Sequence, residues 1–301
     1  MSLTVTTESQ RVMPAEEKGK QSQVAVNMVI RQDPFSITLD ASALLAVSVL
    51  LILGMHFIAR SVLELLIILV PVALLVHNDY LNFLKLGPGG TPPTPCGYAT
   101  LTWYRLFTLR DPFTPPPRDP ARQPAAGMLA DLPYRPGPRP SVAGLAPQRQ
   151  LNQHGSPQAY ARLRGALEAL GARRPAQFVT ATSCLEKHGF ALFARRPRNV
   201  CGNGEVCHIH THSDRSMHLN LHPDDIREVL AKGWGQRHPL AWGSRSARWW
   251  GFAVKSPLPT TYVMVYAPRD ESDLRIVCKI IEAAVWYTVA EKVEIQPASE
   301  S

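Results

Sequence analysis

Hydropathy divides the chain into four stretches. Residues 1–40 are polar and lack a sustained period, which predicts a disordered tail. Residues 41–76 are strongly apolar, and residues 77–147 hold most of the 27 prolines. Residues 148–296 mix apolar and polar positions with the periods of strands and helices. The pattern therefore predicts a membrane anchor at 41–76, a proline-rich strap at 77–147 and a compact domain at 148–296.

The apolar stretch is too long for one straight crossing of a membrane. Ala41 to Ala59 contains 19 residues without charge, and Arg60 and Glu64 interrupt the run before Leu65 to Val76 resumes it. A helix needs about 20 apolar residues to cross a hydrocarbon core of about 30 Å, so the first run could cross alone. Either one span continues into an interfacial helix, or two short spans form a hairpin around Arg60. Because a polar leader precedes it, the stretch is expected to be a signal-anchor in an internal membrane such as the endoplasmic reticulum.

The compact domain shows the patterns of both helices and strands. Helical spacing is present over 157–170, 223–232 and 271–292, and strand patterns are present over 178–185, 190–195 and 262–266. Gly171 and Gly233 stand where the first two of these helices should stop. With a histidine-rich hairpin between 206 and 221, these elements predict an α+β fold. Its antiparallel sheet has helices packed on one face, and the membrane anchor precedes it.

Histidines dominate one face of the predicted hairpin. His208, His210 and His212 alternate with apolar positions in its first segment, and His218 alternates with leucines in the second. A three-residue loop would set His210 opposite His218, whereas a four-residue loop would set it opposite a leucine and split the cluster. Burial of imidazoles among leucines is costly without partners, which favours the odd loop. Solvated surface histidines are the alternative interpretation of the same pattern.

Charge and cysteine content narrow the expected partners. The net charge is +8, from 24 arginines and eight lysines against 24 acidic residues, and the basic residues are dispersed without a nucleic-acid-binding signature. No nucleic acid is therefore expected as a partner, and anionic membrane headgroups fit the basic charge better. The five cysteines are scattered and odd in number, which predicts reduced thiols. Cys201 and Cys207 flank a predicted turn and could instead bridge or bind a metal.

A second motif occupies positions 233–240. Its two glycines permit a helix stop and a tight turn, and its proline holds the preceding residue extended. The block is interpreted as presenting Gln236, Arg237 and His238 towards the histidine hairpin. The alternative interpretation is a helix-ending turn with Trp234 in the core.

Several motifs, taken in order along the chain, resemble the fungal luciferase family. They are Asp79-Tyr80-x-x-Phe83-Leu84-x-x-Gly87-Pro88, Leu129-Ala130-Asp131-Leu132-Pro133, Arg139-Pro140-Ser141, Gln148-Arg149-Gln150, His208-x-His210 with Asp214, Ser216 and His218, the block at 233–240, and Tyr266-Ala267-Pro268-Arg269. The resemblance implies an enzyme like the luminescent members of that family. Those members add O2 to 3-hydroxyhispidin, are membrane-anchored and are associated with no organic cofactor. It also implies that part of the strap is ordered against the catalytic domain at 148–296.

The leading hypothesis is a membrane-anchored oxygenase that adds O2 to an enolisable aromatic or pyrone substrate, with or without light emission. A clustered histidine would remove the enol proton, and a neighbouring aspartate would fix its tautomer. Cationic groups and donors would stabilise the resulting negative charge. The predicted catalytic residues are His208, His210, Asp214, His218, Arg237 and His238, and the predicted substrate-binding residues are Ser216, Trp234, Gln236 and Arg269.

Two other functions use the same sequence features. O2 is expected as co-substrate without a cofactor, but His208, His210 and His218 could instead ligate a metal ion in a dioxygenase or hydrolase, because an H-x-H pair with a third histidine resembles cupin-like sites. A catalytically idle membrane scaffold is the third possibility, although a scaffold has no need of clustered imidazoles. The expected partners are a small aromatic or pyrone molecule, O2 and a membrane; the oligomeric state is not predicted.

Overall fold

The computed structural model describes residues 41–56, 61–211, 214–243, 248–249 and 252–297. The chain divides into two compact units, residues 1–86 and 87–301. The helices are α1 (Ala41–Met55), α2 (Ser61–Lys85), α3 (Pro95–Arg105), α4 (Pro157–Arg173), α5 (Pro223–Ala231) and α6 (Glu271–Val289). The strands are β1 (Val142–Gly144), β2 (Gln148–Gln150), β3 (Phe178–Thr182), β4 (Phe190–Ala194), β5 (Glu205–Ile209), β6 (Met217–Asn220), β7 (Gly235–Arg237), β8 (Arg248–Trp249), β9 (Phe252–Ala253) and β10 (Tyr262–Val265).

The first unit contains the two apolar helices α1 and α2. Helix α1 has 15 residues, which gives about 22 Å at 1.5 Å per residue, short of the hydrocarbon core of about 30 Å. Within α2, the segment Glu64–Lys85 has the length and apolar composition of a membrane span, and none of its apolar window is buried. It is the single candidate span among the described residues. The end of the first apolar run, residues 57–59, lies outside the described residues, so the expectation that this run could cross alone stays a prediction.

The second unit is built on a six-stranded sheet in the order β3-β4-β5-β6-β10-β7. Each neighbouring pair in it is antiparallel. Two further antiparallel pairs, β1 with β2 and β8 with β9, stand outside this sheet. The predicted α+β fold with an antiparallel sheet is thus confirmed.

The β5–β6 hairpin has an odd loop, but its register differs from the predicted one. His208 lies opposite His218, and the amide of His210 donates to the carbonyl of Ser216 at 2.9 Å. Five residues, 211–215, therefore separate the last paired positions instead of the three expected, and the predicted pairing of His210 with His218 is wrong. Because both loop lengths are odd, the three imidazoles still share one face of the sheet.

The other face of the sheet packs against helices. Cys207, Ile209 and Leu219 alternate with the histidines and belong to one buried cluster with Val277 and Ile281 of α6. Helices α4 and α5 contribute to the same cluster. The predicted single helical layer is confirmed, and it leaves the imidazole face to be covered by other parts of the chain.

Strand β7 lies inside the block that the sequence pattern predicted as a turn. Gly233 ends the α5 region with φ of +82°, as predicted for a helix stop. The chain then pairs with β10 at the edge of the sheet. A Cβ atom at Gly235 would overlap with the carbonyl group of Met264, so this close approach of two strands requires glycine.

The proline-rich strap runs along α5. The amide of Leu129 donates to the carboxylate of Asp225 at 2.7 Å, and the amide of Leu132 donates to Glu228 at 2.9 Å. Prolines have no amide to donate, so the few available donors of the strap are directed to the acidic side chains of this helix. The strap is thereby attached to the helical layer by hydrogen bonds that depend on buried or half-buried carboxylates.

We expect Asp225 to make stability depend on pH. Burial raises the pKa of Asp225 to about 7, with repulsion from Asp224 and Glu228 adding to the effect and the amides of Leu129 and Met128 opposing it. Because the folded-state pKa lies above the unfolded value of about 3.9, the stabilisation is present at low pH and is lost as pH rises through about 7. In the unsubstituted protein, the free energy of unfolding should fall by on the order of 2 kcal/mol between pH 5 and 8 because of Asp225. Asp225→Asn keeps an acceptor for the Leu129 amide and should abolish this fall.

Chemical denaturation of the full chain at several pH values measures this effect. Asp224→Asn is the matched control, because ion pairing with Arg118 outweighs burial and lowers the pKa of Asp224. Its stabilisation is present above the unfolded pKa and is lost as pH falls, which is the opposite sign. An Asp225→Asn variant with the same pH profile as the unsubstituted protein would contradict the assignment.

Candidate functional site

Three buried imidazoles converge on the face of the sheet away from the helices. Nδ1 of His218 lies 3.1 Å from Nε2 of His210 and 3.2 Å from Nε2 of His208. Each of the three residues is 2% exposed. The alternation of β5 and β6 brings them together, as the sequence predicted, and the alternative of solvated surface histidines is wrong.

Two of the imidazoles are backed by carboxylates. Nδ1 of His208 lies 2.5 Å from Oε1 of Glu205, and Nδ1 of His210 lies 3.1 Å from Oδ1 of Asp214. An ionised carboxylate only accepts hydrogen bonds, so Nδ1 of each ring carries the proton. The Nε2 lone pairs of His208 and His210 therefore both face Nδ1 of His218.

Asp214 is fixed by donors on both oxygens. Ser216 donates its hydroxyl at 2.6 Å and Gln150 donates its backbone amide at 2.5 Å to Oδ2, while His210 lies on Oδ1. Burial alone would raise the pKa of Asp214, but His210 and these donors outweigh it and hold the pKa well below its usual range. The predicted role of Asp214 in orienting an imidazole agrees with this geometry, and Ser216 acts through Asp214 and His210.

Glu205 reaches the imidazoles because of a β-bulge. Glu205 and His208 are three positions apart, which in a regular strand would put them on opposite faces. The pairing of β4 with β5 shifts register between them, and the extra residue turns Glu205 onto the imidazole face. Its carboxylate also accepts from Ser183 Oγ at 2.9 Å and the Cys184 amide at 2.8 Å. His208 first, and then these two donors, lower the pKa of Glu205 despite its burial. Sequence reasoning missed Glu205 because strict alternation assigned it to the helical face.

Strand β2 covers His218. Nε2 of His218 lies 3.0 Å from Oε1 of Gln148, so the third imidazole also has a hydrogen-bond partner on its outer nitrogen. The ring of Tyr262 stacks on His218 with centroids 5.5 Å apart and an interplanar angle of 10°. Nε2 of Gln148 is buried and has no hydrogen-bond partner among the described residues, so a donor beside the cluster is free for a bound molecule.

Arg149 and Glu186 form a buried ion pair next to the cluster. Oε2 of Glu186 lies 3.9 Å from Nε2 of His208. With Gln148 on His218 and the Gln150 amide on Asp214, all three residues of the Gln-Arg-Gln motif contact the cluster or its partners. These residues were absent from the predicted site, although the motif carried part of the family resemblance.

The interior imidazoles are held neutral. Burial lowers the pKa of His210 despite the opposing charge of Asp214. Burial also lowers the pKa of His218 well below its ordinary value, and the neighbouring imidazoles and Arg149 add to the shift. At neutral pH His210 and His218 therefore offer nitrogen lone pairs rather than positive charge, which suits either acceptance of a proton or ligation of a cation.

His238 lies beside the cluster, but its hydrogen bonds go to the backbone. Its ring centroid is 5.1 Å from that of His218. Nδ1 accepts from the amide of Leu240 at 3.1 Å, and a second hydrogen bond engages the Leu145 backbone. Burial and repulsion from His208 lower the pKa of His238 to about 3. It supports the wall of the site and is a weaker candidate for proton transfer than the three clustered imidazoles.

Arg237 is directed away from the imidazole face. It pairs with Val263, whose side chain belongs to the helical side of the sheet. Its guanidinium donates to the carbonyls of Thr114, Ala241 and Thr260 at 3.2, 2.7 and 3.0 Å. The prediction that Arg237 stabilises charge in the site is therefore corrected: strand pairing of β7 fixes its side chain on the opposite face, where it ties loops together.

Trp234 and Arg269 also have structural contacts instead of site contacts. Trp234 is 2% exposed within the helical core cluster, and its indole nitrogen donates to the Pro133 carbonyl at 2.7 Å. Arg269 pairs with Asp273 at 2.6 Å and donates to the Pro136 carbonyl at 2.8 Å, so it connects α6 to the strap. Their predicted substrate-binding roles are corrected, and the alternative that placed Trp234 in the core is confirmed.

Gln236 does face the site. Strand pairing aligns His218, Met264 and Gln236 across one row of the sheet, on the imidazole face. Its side-chain oxygen accepts from the hydroxyl of Tyr266 at 3.1 Å. His212, which was also expected on this face, lies outside the described residues.

The five cysteines are free thiols, as predicted. Cys201 and Cys207 are both buried, and burial raises the pKa of Cys207 to about 12. Cys207 alternates with the histidines and faces the helices. Neither residue joins the three histidines as a metal-ligand candidate in the described part of the chain.

Comparisons with known proteins agree with the family resemblance. A family model described as a Luciferase domain matches residues 203–284. A luciferase of Neonothopanus nambi is 33% identical over 240 residues, which cover 71% of this chain and 81% of that protein. Luciferases of Armillaria mellea and Armillaria gallica are 35% and 34% identical over 245 residues, covering 70% of this chain and 81% of each. No solved structure matches the chain significantly.

The chain thus combines an α+β fold with a buried histidine–carboxylate cluster. Because it is at least 33% identical to luciferases and the match covers 81% of each, the chain belongs to the fungal luciferase family, a family of luciferase-like oxygenases.

The core position of Trp234 predicts a large stability loss on truncation. Trp234→Ala should cost about 3–5 kcal/mol of unfolding free energy, because it leaves a cavity and removes the bond to Pro133. Urea denaturation in detergent measures it. Trp103→Ala is the control, since Trp103 is 46% exposed and should cost far less. Equal losses in the two variants would contradict the core assignment.

Proposed function

We propose that this protein is a membrane-anchored oxygenase that adds O2 to an enolisable aromatic or pyrone substrate, 3-hydroxyhispidin or a related metabolite. The observation that carries the proposal is the convergence of three buried imidazoles, each with a hydrogen-bond acceptor on its outer nitrogen. Membership of the luciferase family supports the reaction class.

The cluster is suited to removing a proton from an enol. In His210, the Nδ1–H bond to Asp214 leaves Nε2 as the basic atom, and the carboxylate stabilises the imidazolium that forms. Glu205 serves His208 in the same way. Base catalysis of this kind typically contributes about 10²- to 10⁴-fold to a rate.

The enolate then supplies the electrons for O2 addition. Loss of the enol proton gives an electron-rich carbanion–enolate, and its carbon forms a new bond to one oxygen atom of O2. The two electrons of that bond come from the enolate, so O2 is reduced to the peroxide level and the substrate is oxidised. The proton returns to the outer oxygen to give a hydroperoxide, which balances atoms and charge without an organic cofactor.

Stabilisation of the anions is assigned to neutral donors. The unpartnered Nε2 of Gln148 is beside His218, and the hydroxyl of Tyr262 lies 3.5 Å from Nδ1 of His208. Fixed donors in a site closed to water stabilise a developing oxyanion strongly. They take the role that the sequence assigned to Arg237 and Arg269. Collapse of the hydroperoxide is the step at which light would be emitted, and photon counting distinguishes a luminescent from a dark reaction.

Membrane anchoring is assigned to α2. Its segment Glu64–Lys85 satisfies the length and composition of a span. The resemblance to the fungal luciferases implies a membrane anchor, and the Asp79-Tyr80 element of that resemblance lies within this helix. A cytosol-facing catalytic domain on an internal membrane agrees with its free thiols.

Activity assays test the oxygenase assignment. Purified full-length protein mixed with 3-hydroxyhispidin in detergent should consume O2 and give a product heavier by one O2, or its breakdown products. His210→Gln should lower kcat at least about 100-fold because it removes a basic nitrogen, and Asp214→Asn should lower kcat less. His188→Gln, on an exposed side chain, is the control. No O2 uptake with any enolisable pyrone would refute the assignment.

Removal of the first unit tests the anchor. A protein lacking residues 1–86 should move from the membrane pellet to the supernatant after high-speed centrifugation, because the candidate span is absent. A salt wash of the full-length protein controls for peripheral binding, which high ionic strength releases. Continued pelleting of the shortened protein with vesicles would assign membrane binding to the second unit.

A further inference from the structure

The inner nitrogens of the three clustered histidines lie close together. Nδ1 of His218 is 3.1 Å from Nε2 of His210 and 3.2 Å from Nε2 of His208, and one ring nitrogen from each of the three residues lies within 4.8 Å of the others. From this arrangement we infer that the three residues bind a single divalent first-row transition-metal ion. The ion would sit at the centre of the proposed active site.

The spacing of the nitrogens fits one ion. Imidazole nitrogens bind zinc at about 2.0–2.1 Å, so two ligands of one ion are separated by about 3.0 Å at right angles and about 3.4 Å in a tetrahedron. Two of the three separations, both from Nδ1 of His218, are 3.1 and 3.2 Å and fall in that interval. Three ligands on one side of an ion leave coordination positions for a substrate oxygen or O2.

The outer shell of the cluster has the form that metal sites require. A histidine that ligates a metal normally donates its other N–H to a carboxylate or carbonyl, which fixes the ring and its tautomer. His208 does so to Glu205 and His210 to Asp214. His218 would donate from Nε2 to the side-chain oxygen of Gln148. In this arrangement every outer nitrogen is protonated, and all three inner nitrogens present lone pairs to the same point.

Charge balance favours a divalent cation. Glu205 and Asp214 accept hydrogen bonds from the donors that surround them, which is the pattern of ionised carboxylates. Glu186 adds a third carboxylate and Arg149 one guanidinium. Among the described residues, three carboxylates and one guanidinium therefore surround the imidazoles, which would leave a net charge of −2 in a buried site without a bound cation. One divalent ion neutralises this charge, which would otherwise be costly to bury.

The ligand type selects the class of metal. Three neutral imidazoles suit iron, cobalt, nickel, copper or zinc, whereas magnesium and calcium prefer oxygen ligands. The role of the ion rests on the proposed function: it would bind the enol oxygen as a Lewis acid and stabilise the enolate. With their lone pairs on the ion, the imidazoles would no longer act as the base.

Metal binding can be measured without any activity. Full-length protein in detergent is stripped with a chelator and titrated with Co²⁺ while its visible d–d absorption is recorded, and unchelated protein is analysed for elements. About one equivalent of Co²⁺ should bind, and His210→Ala should abolish binding. Glu205→Gln and Asp214→Asn should weaken it roughly 10- to 100-fold, as expected for outer-shell partners.

Two variants control for folding and for adventitious binding. His238→Gln alters a ring that lies 5.1 Å from the His218 ring and that is hydrogen-bonded to the backbone. This variant should still bind one equivalent of Co²⁺. His188→Gln removes an exposed imidazole and should also bind one equivalent. Circular dichroism of each variant separates loss of a ligand from loss of fold; the outer-shell variants keep the measurement decisive if His210→Ala unfolds.

The outcomes separate this inference from the proposed oxygenase function. Absence of stoichiometric metal, or Co²⁺ binding unchanged in His210→Ala and Asp214→Asn, would overturn the metal site. Full O2 uptake by metal-free protein would overturn the role of the ion and leave the oxygenase with its imidazole base. One bound ion without O2 uptake on any enolisable pyrone would support the metal site and refute the oxygenase proposal.

Discussion

The architecture depends on hydrogen bonding of three imidazoles that the sheet buries. An unpartnered buried polar group costs about 1–3 kcal/mol, so a face carrying three of them is stable only if acceptors reach it. Glu205 and Asp214 supply two acceptors from the hairpin itself, and Gln148 supplies the third from a distant strand. Once these bonds exist, the rings are fixed in orientation and tautomer. The chemistry of the site therefore follows from a folding constraint.

This constraint makes residues outside the region matched by the family model part of the site. The family model spans residues 203–284, which include the imidazoles and their carboxylates but not Gln148 or Arg149. Those two residues lie in β2, directly after the strap. Gln148 accepts the outer hydrogen bond of His218, and Arg149 forms an ion pair with Glu186. The strap, held to α5 by its few amides, delivers them to the imidazole face. The helical layer and the site are thus coupled through the same stretch of chain.

The electrostatics of the site run opposite to the basic charge of the chain. The whole sequence carries a net charge of +8, yet among the described residues carboxylates outnumber cations around the cluster. Arg237 donates to loop carbonyls and Arg269 to the strap. In the described part of the chain, Arg149 is the one guanidinium beside the imidazoles, and it is paired with Glu186. An anionic shell around neutral nitrogens is a setting for binding a proton or a cation, not for binding an anion by ion pairing.

The sequence by itself determined the fold class and the convergence of the histidines. Period-2 alternation assigns side chains to faces locally, and any odd loop keeps the same faces together. The predicted clustering of the histidines was therefore correct although the predicted register was wrong by two residues. Only the tertiary structure decided which residues surround it. The bulge turned Glu205 against strict alternation, the pairing of β7 with β10 turned Arg237 outward, and β2 brought Gln148 from 70 positions before His218. These outcomes depend on pairing between distant strands, and local hydropathy carries no information about it.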